Sequence, residues 1–291
     1  MPSATKQTKL KAGVIGDPIN HSLSPVLHNF WLKKYGIDGS YEAIHVTPEA
    51  LPYFIKSLDV EGFQGINITL PHKENAVALM DNNYSIVDSI GAVNTVVISD
   101  SNTIEGRNTD WFGFTQNLKQ HAPDWNGGTS KALVLGAGGA AKAIIMGLLI
   151  EGCTDITLTN RTLQRAEILA EDLNVAQNKM KIKVVDWELR SESCADCNLL
   201  INTTQLGMKN QPPLDINLSK LSNDAIVNDI VYNPLKTDLL EAAEARGLTS
   251  IDGLGMLLWQ AQPGFEAWFG VKPEVDDELR EHVIAAMGQG A

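Results

Sequence analysis

Apolar and polar positions along this chain form short runs that switch between two periods. Residues 12–15, 43–46 and 65–69 are apolar runs of strand length. Between them, residues 25–35 carry Val26, Leu27, Phe30 and Trp31 at helical spacing, and residues 49–58 form a second helical stretch after Pro48. Pro71 is expected to open a further helix, because proline suits a first helical turn. Residues 93–98 and 103–107 read as a strand pair around the polar turn Ser99-Asp100-Ser101-Asn102. Residues 111–121 predict a connecting helix, and the turn-rich stretch 122–130 follows it. Strand-like runs resume at 132–135, 156–160, 182–185, 199–202 and 225–231. Leu163, Ala166, Leu169, Ala170 and Leu173 make the buried stripe of a helix. Closing helices are expected around 255–268 and 276–287, the first kinked, or ended and restarted, at Pro263-Gly264.

The run at 132–135 ends in Gly136-Ala137-Gly138-Gly139-Ala140 and continues as a helix, then as the strand at 156–160. Strand, glycine turn, helix, strand is half of a dinucleotide-binding fold. Gly136 permits the tight turn; Gly138 and Gly139 let the backbone approach a pyrophosphate at the helix N-terminus. The pattern departs from the strict spacing, with Ala141 in the last position. An NAD site places an acid at the end of the second strand, to accept from the ribose 2′-OH. Here Asn160-Arg161-Thr162 stands there, with Arg165 one turn on. Two cations at a helix start oppose its dipole unless an anion is present, so the expected cofactor is NADP.

These patterns predict an α/β protein of two domains. The first is an N-terminal α/β substrate domain over residues 1–121, and the second a Rossmann-like NADP-binding domain over 122–270. Residues 271–291 are expected to form a C-terminal helix that packs back on the first domain. A length of 291 residues allows two cores. A net charge of −12 argues against a general nucleic-acid binder. No apolar stretch is long enough to span a membrane, and the polar start lacks a secretory h-region, so a cytoplasmic location is expected. Three cysteines make a disulfide framework improbable, and Cys194-Ala195-Asp196-Cys197 lacks the second pair or histidine of a zinc site. No metal is expected. The expected partner is a small molecule, bound by a monomer or homodimer.

Polar clusters before residue 120 are the candidates for holding that molecule. Asn20-His21-Ser22-Leu23-Ser24-Pro25 precedes the first helix, with Ser24 a natural N-cap and Pro25 a natural first residue. Ser22 and Ser24 alternate onto one side, beside a helix N-terminus, as a small anion site would require. Asn67 and Thr69 point the same way at a strand end, and Lys73 is expected in the first turn of the next helix, where the dipole gives it nothing. Asn94 interrupts an apolar strand and is expected to be buried, in want of partners that a polyhydroxyl ligand would supply. Asp110 precedes the connecting helix, as a cap or as a functional acid.

Taken together, the segments GDPINHSLSPVLHN, GINITLPHK, IGAVNTVV, GRNTDWFGF, LVLGAGGAAKA, TNRTLQR, INTTQLGM and DGLGMLLWQA resemble the shikimate dehydrogenase family over nearly the full length. The resemblance implies reversible NADPH-linked reduction of 3-dehydroshikimate to shikimate. It implies that Ser22 and Ser24 bind the substrate carboxylate with help from Tyr232. Thr69, Asn94, Asp110 and Gln260 would hold ring hydroxyls, with Asn67 lining the pocket, and Lys73 and Asp110 would be the catalytic pair. On the cofactor side, Gly136, Ala137, Gly138, Gly139 and Ala140 would hold the pyrophosphate. Asn160, Arg161, Thr162 and Arg165 would hold the 2′-phosphate, and Ile230 and Gly253 would border the nicotinamide. A quinate/shikimate dehydrogenase using NAD is the nearest alternative, and the two arginines speak against it. A methylenetetrahydrofolate dehydrogenase would need pterin-stacking aromatics near its lysine, which Leu70, Pro71 and His72 do not offer. A non-catalytic cofactor sensor would have no use for both Lys73 and Asp110.

Overall fold

The structure, a computed structural model, describes residues 9–177 and 182–289, and the polar start read above lies almost wholly outside the described residues. The chain divides into two compact units, one of residues 1–109 with 261–291, the other of residues 110–260.

The first unit opens with β1 (Leu10–Gly16), α1 (Ser24–Lys34), β2 (Gly39–His45), α2 (Leu51–Ser57) and β3 (Phe63–Ile68). It continues with β4 (Asn82–Asn83), α3 (Ser85–Ile90), β5 (Thr95–Ile98) and β6 (Ile104–Arg107). The sheet order is β2-β1-β3-β5-β6-β4. Strands β1, β2 and β3 are parallel, while β5 runs antiparallel to both β3 and β6. As the central parallel strand, β1 is covered on both faces, which is why it reads as an apolar run rather than an alternation. The β5–β6 pair turns as expected at residues 99–102, with Asn102 in the left-handed region that asparagine tolerates.

Two expectations for this unit need correction. Pro71 does not open an α-helix. The Leu70–Pro71 bond is cis, and turns follow it until a short 3₁₀ helix at Val77–Leu79, so Lys73 lies on a turn. The helix after Pro48 begins only at Leu51.

The second unit contains α4 (Asp110–His121), β7 (Lys131–Leu135), α5 (Gly139–Ile150), β8 (Asp155–Thr159), α6 (Leu163–Gln177) and β9 (Lys183–Val185). It goes on with α7 (Arg190–Ser193), β10 (Leu199–Asn202), β11 (Ile226–Asp229), α8 (Asp238–Ala245) and β12 (Thr249–Ile251). Its sheet is wholly parallel, in the order β12-β11-β10-β7-β8-β9. All three cysteines are buried and unbridged, and burial pushes their thiols up to about 11 for Cys153 and Cys194 and about 12 for Cys197. Cys194 and Cys197 sit in an apolar cluster with Leu200, Leu218 and Leu240, as core residues rather than reactive ones.

Helix α9 (Leu254–Phe269) runs unbroken through Pro263, so it neither ends nor restarts there. Its first half belongs to the second unit, and from Ala261 onward it belongs to the first. The final helix, α10 (Asp277–Gln289), packs on α1 as the sequence implied. Lys34 on α1 pairs with Asp276 and Glu278 at 2.7 Å each, and Trp31 Nε1 donates to the Glu274 carbonyl at 3.0 Å. The unit boundaries differ from the 121/122 division read from turn composition and from the 270/271 division that set the last helix apart. Helix α4 packs on α5 through Gly147, whose missing side chain leaves room for Thr115 and the Trp111 carbonyl.

A buried histidine gives the first unit a measurable pH signature. His28 on α1 is fully buried, stacked on Tyr41 at 4.0 Å and 10°. Burial lowers its pKa from 6.5 to about 3, partly opposed by the Asn67 side chain. The unfolded chain takes up this proton from pH 6.5 downward and the folded chain only near 3, so stability is lost as pH falls between these values. At 1.36 kcal/mol per unit, ~3 kcal/mol should be gone near pH 4. Melting curves from neutral pH to pH ~4 should show a shallower acid slope in His28→Phe. Equal slopes in both proteins would contradict the neutral buried imidazole.

Candidate active site

In the first unit, parallel pairing brings the ends of β1 and β3 to the same sheet edge, so the loops that follow them meet. Thr69 N–H donates to the Ile15 carbonyl at 3.0 Å and Asp17 N–H to the Leu70 carbonyl at 3.1 Å. Antiparallel β5 starts where β3 ends, with Thr95 opposite Asn67 and Arg107 opposite Thr95. Topology thus gathers Ser22 and Ser24 after β1, Asn67, Thr69 and Lys73 around the end of β3, and Asn94 before β5.

The serines divide their work differently from the sequence reading. Helix α1 begins at Ser24 with no side-chain cap bond from the residue before it, and Ser22 Oγ accepts the Ser24 N–H at 3.3 Å. Ser22, not Ser24, therefore serves the helix start. Ser22 keeps its own hydroxyl proton for an anion, because this bond uses it only as acceptor.

Asn94 is buried as expected and stands just before β5. Its Oδ1 accepts the Thr109 N–H at 2.8 Å and the Thr95 hydroxyl at 2.9 Å, and its Nδ2 donates to Thr109 Oγ1 at 3.0 Å. Asn67 Nδ2 joins this network through the Asn94 carbonyl at 3.1 Å and Thr95 Oγ1 at 3.2 Å. Such a satisfied buried network holds its members in one geometry. Lys73 is half-buried, and its carbonyl accepts the Val93 N–H at 2.8 Å. The neighbouring His72 is fully buried and donates from Nε2 to the Val46 carbonyl at 2.7 Å, which pins the turn carrying Lys73.

Asp110, Tyr232 and Gln260 lie in the second unit. Asp110 is the first residue of α4 and is buried. Gln260 Nε2 donates to the Leu257 carbonyl at 2.9 Å. Burial raises the Tyr232 hydroxyl above the usual tyrosine value.

The parallel sheet of the second unit grows outward from β7 in both directions, which makes the crevice beyond β7 and β10 its switch point, where such sheets bind ligands. Gly136 leaves β7 there at φ +109°, and a side chain on it would press on Thr203. Gly138 and Gly139 open α5 facing empty space, so packing requires glycine at neither. Their bareness suits a pyrophosphate cradle with unhindered helix N–H groups. The Ala137 N–H is already given to Asn160 Oδ1 at 3.2 Å, and Asn160 Nδ2 donates to the Thr162 carbonyl at 2.9 Å. Asn160 thus fastens the glycine turn to the segment carrying Arg161. Both Arg161 and Arg165 are exposed at the start of α6, which has no acid in its first turn. Among the described residues neither has a carboxylate within ion-pair distance.

Ile230 and Gly253 come together, since Gly253 N–H donates to the Val231 carbonyl at 3.2 Å and any side chain on Gly253 would strike the Ile230 carbonyl. Asp229, missed in the sequence, organises this region. Its carboxylate accepts from Asn202 Nδ2 at 2.9 Å, the Val231 N–H at 3.0 Å and the Thr237 hydroxyl at 2.7 Å. Burial raises its pKa to about 6, against the pull of those three bonds. An acid closing an apolar strand was the available signal.

A doubly wound dinucleotide unit and a second unit that carries a set of hydroxyls, amides and a lysine together define a two-domain nicotinamide-dependent oxidoreductase. Residues 14–96 match the shikimate dehydrogenase substrate-binding domain, residues 118–205 the shikimate/quinate 5-dehydrogenase model, and residues 253–277 the shikimate 5′-dehydrogenase C-terminal domain. A shikimate dehydrogenase (NADP⁺) of Rhodospirillum rubrum is 52% identical over 273 residues, covering 94% of this chain and 96% of that protein. The chain belongs to the shikimate dehydrogenase family. Among solved structures, the Thermus thermophilus shikimate 5-dehydrogenase in complex with NADP(H) and shikimate has a TM-score of 0.83 at 36% identity, covering 95% of this chain and 99% of that one. A quinate dehydrogenase of Corynebacterium glutamicum in complex with NAD has a TM-score of 0.88 at 29% identity, with the same coverage.

Proposed function

We propose that this protein catalyses the reversible NADPH-dependent reduction of 3-dehydroshikimate to shikimate, on the way to chorismate and the aromatic amino acids. The observation that carries the reading is the convergence of Ser22, Ser24, Asn67, Thr69, Lys73 and Asn94 at one sheet edge in a chain of this family. NADP is the cofactor that the residues fit: the open glycine turn suits its pyrophosphate, and Arg161 and Arg165 suit its 2′-phosphate. When bound, the nicotinamide supplies the hydride.

The protein's own residues do the rest. Ser22 and Ser24 hold the substrate carboxylate, with the Tyr232 hydroxyl assisting. Thr69, Asn94, Asp110 and Gln260 take the ring hydroxyls, with Asn67 beside them. Lys73 offers a positive charge to the developing alkoxide and then a proton at its oxygen. Asp110 is the acid–base partner of Lys73 in this reading. Hydroxyls and amides discriminate by shape and by the count of satisfied hydrogen bonds, because an unmatched analogue leaves buried polar groups unpaired. A broader enzyme that also takes quinate and NAD is the alternative. The similarity to the Corynebacterium quinate dehydrogenase favours it, and the two arginines weigh against its use of NAD.

Arg161→Ala tests the cofactor assignment. It should cost ~1.5–3 kcal/mol of NADP binding, the scale of a charge-assisted hydrogen bond, and leave NAD binding unchanged. Titration of both cofactors by fluorescence or calorimetry checks it, and equal weakening of the two would contradict it.

A further inference from the structure

We infer that Tyr41 is a positioning residue for substrate binding, its buried hydroxyl tying Ser24 to Asn67 across an intervening strand. This rests on the reading that Ser24 and Asn67 face substrate. Tyr41 lies on β2, is 2% exposed, and stands in register with Ala12 on β1, which in turn pairs with Gly65 on β3. Side chains in register share a face, so this row runs large, small, none. The phenol crosses over Ala12 and donates to Asn67 Oδ1 at 2.5 Å. It also meets the Ser24 side chain, a contact that partly offsets the effect of burial in raising the phenol's pKa.

The ring is held from several sides. His28 stacks on it at 4.0 Å, and Trp268 lies 6.0 Å away. Phenylalanine would fill that space, so packing alone gives the hydroxyl no purpose. Burying a hydroxyl is costly unless its hydrogen bonds are made. Here the bond it donates and the serine it meets both belong to residues assigned to substrate.

Counting donors sharpens the consequence. The Asn67 amide gives both N–H groups to Asn94 and Thr95, and one Oδ1 lone pair to Tyr41. With both N–H groups used, Asn67 has none to donate to a ligand carbonyl or carboxylate, and only its oxygen can serve a ligand hydroxyl. Because the Tyr41 proton lies toward Asn67, the phenol presents only lone pairs to Ser24, so Ser24 is the donor in their contact. Ser24 must turn that proton outward to hold a carboxylate, and the Tyr41 oxygen sets the position from which it turns. The hydroxyl therefore bears on substrate affinity and not on the chemical step.

The test is Tyr41→Phe, alone and combined with Ser24→Ala, with KM for shikimate, KM for NADP, kcat and Tm measured for each. The expected result in Tyr41→Phe is a rise of about five- to tenfold in shikimate KM, with kcat and NADP KM unchanged. In the Ser24→Ala background the same change should add little. A fall in Tm with unchanged kinetics would make the hydroxyl purely structural and overturn the inference. If Ser24→Ala raises shikimate KM and Tyr41→Phe does not, the inference fails and the site reading stands. If neither variant moves shikimate KM, the site reading fails with it.

Discussion

Replacing Lys73 with alanine is expected to lower kcat by about 10²–10⁴-fold, the usual worth of a positioned acid–base group. NADP affinity should be unchanged, because the residues assigned to the cofactor belong to the other unit. The fold should survive too. Lys73 sits half-buried on a turn fixed by its neighbours, through the buried His72 ring and the bond from Val93 N–H to the Lys73 carbonyl, and alanine preserves both. Asp110→Asn keeps the shape and hydrogen-bonding capacity of the acid and removes its charge, so kcat should also fall strongly. On the proposed pairing of Lys73 with Asp110, the double variant should be little worse than the more damaged single variant. Steady-state kinetics of the three proteins decides this. Multiplicative losses would mean two independent roles.

Gly138→Asp should separate binding from folding. Gly138 precedes α5 at φ −100°, ψ −174°, and nothing lies within 4 Å of where its side chain would be. Aspartate is a favoured residue at this position, so the fold should be unharmed or gain a few tenths of a kcal/mol. The same carboxylate would face a bound pyrophosphate. Two like charges about 4 Å apart repel by about 4 kcal/mol at an effective dielectric of 20, so NADP affinity should drop on the order of 10²–10³-fold. Thermal melts and cofactor titration read the two effects independently. A variant that melts normally and still binds NADP would remove the glycine turn from the cofactor site.

The second unit was the more legible in sequence. Its inner strands β7 and β10 are buried and read as nearly unbroken apolar runs, and Gly136 closes β7 at a positive φ where few other residues fit. Local signals failed where distant partners decide the outcome. Pro71 looks like a helix start, yet the turns at 71–76 are held by His72 reaching Val46 and Lys73 reaching Val93. Ser24 carries the ideal capping residue type, and Ser22 makes the bond. The turn-rich stretch 122–130 suggested a boundary, but α4 before it packs on α5 after it, so the division falls at Asp110.

The candidate site was legible in its outward residues and not in its supports. Asn94 announced itself as an amide in an apolar run. Tyr41 and His28 gave no such sign, because an aromatic on a strand and a histidine on a helix face are ordinary. Their meaning comes from register, which sets Tyr41 across β1 from Asn67. Asp229 is similar: its bonds to Asn202 and Thr237 join residues far apart in the chain.

The most direct measurement is the appearance of reduced-nicotinamide absorbance when the purified protein is offered shikimate or quinate with NADP or NAD. The account predicts that shikimate with NADP gives the highest kcat/KM of the four pairs, and that NAD is used poorly with either acid. No turnover of shikimate, or a preference for NAD, would contradict it.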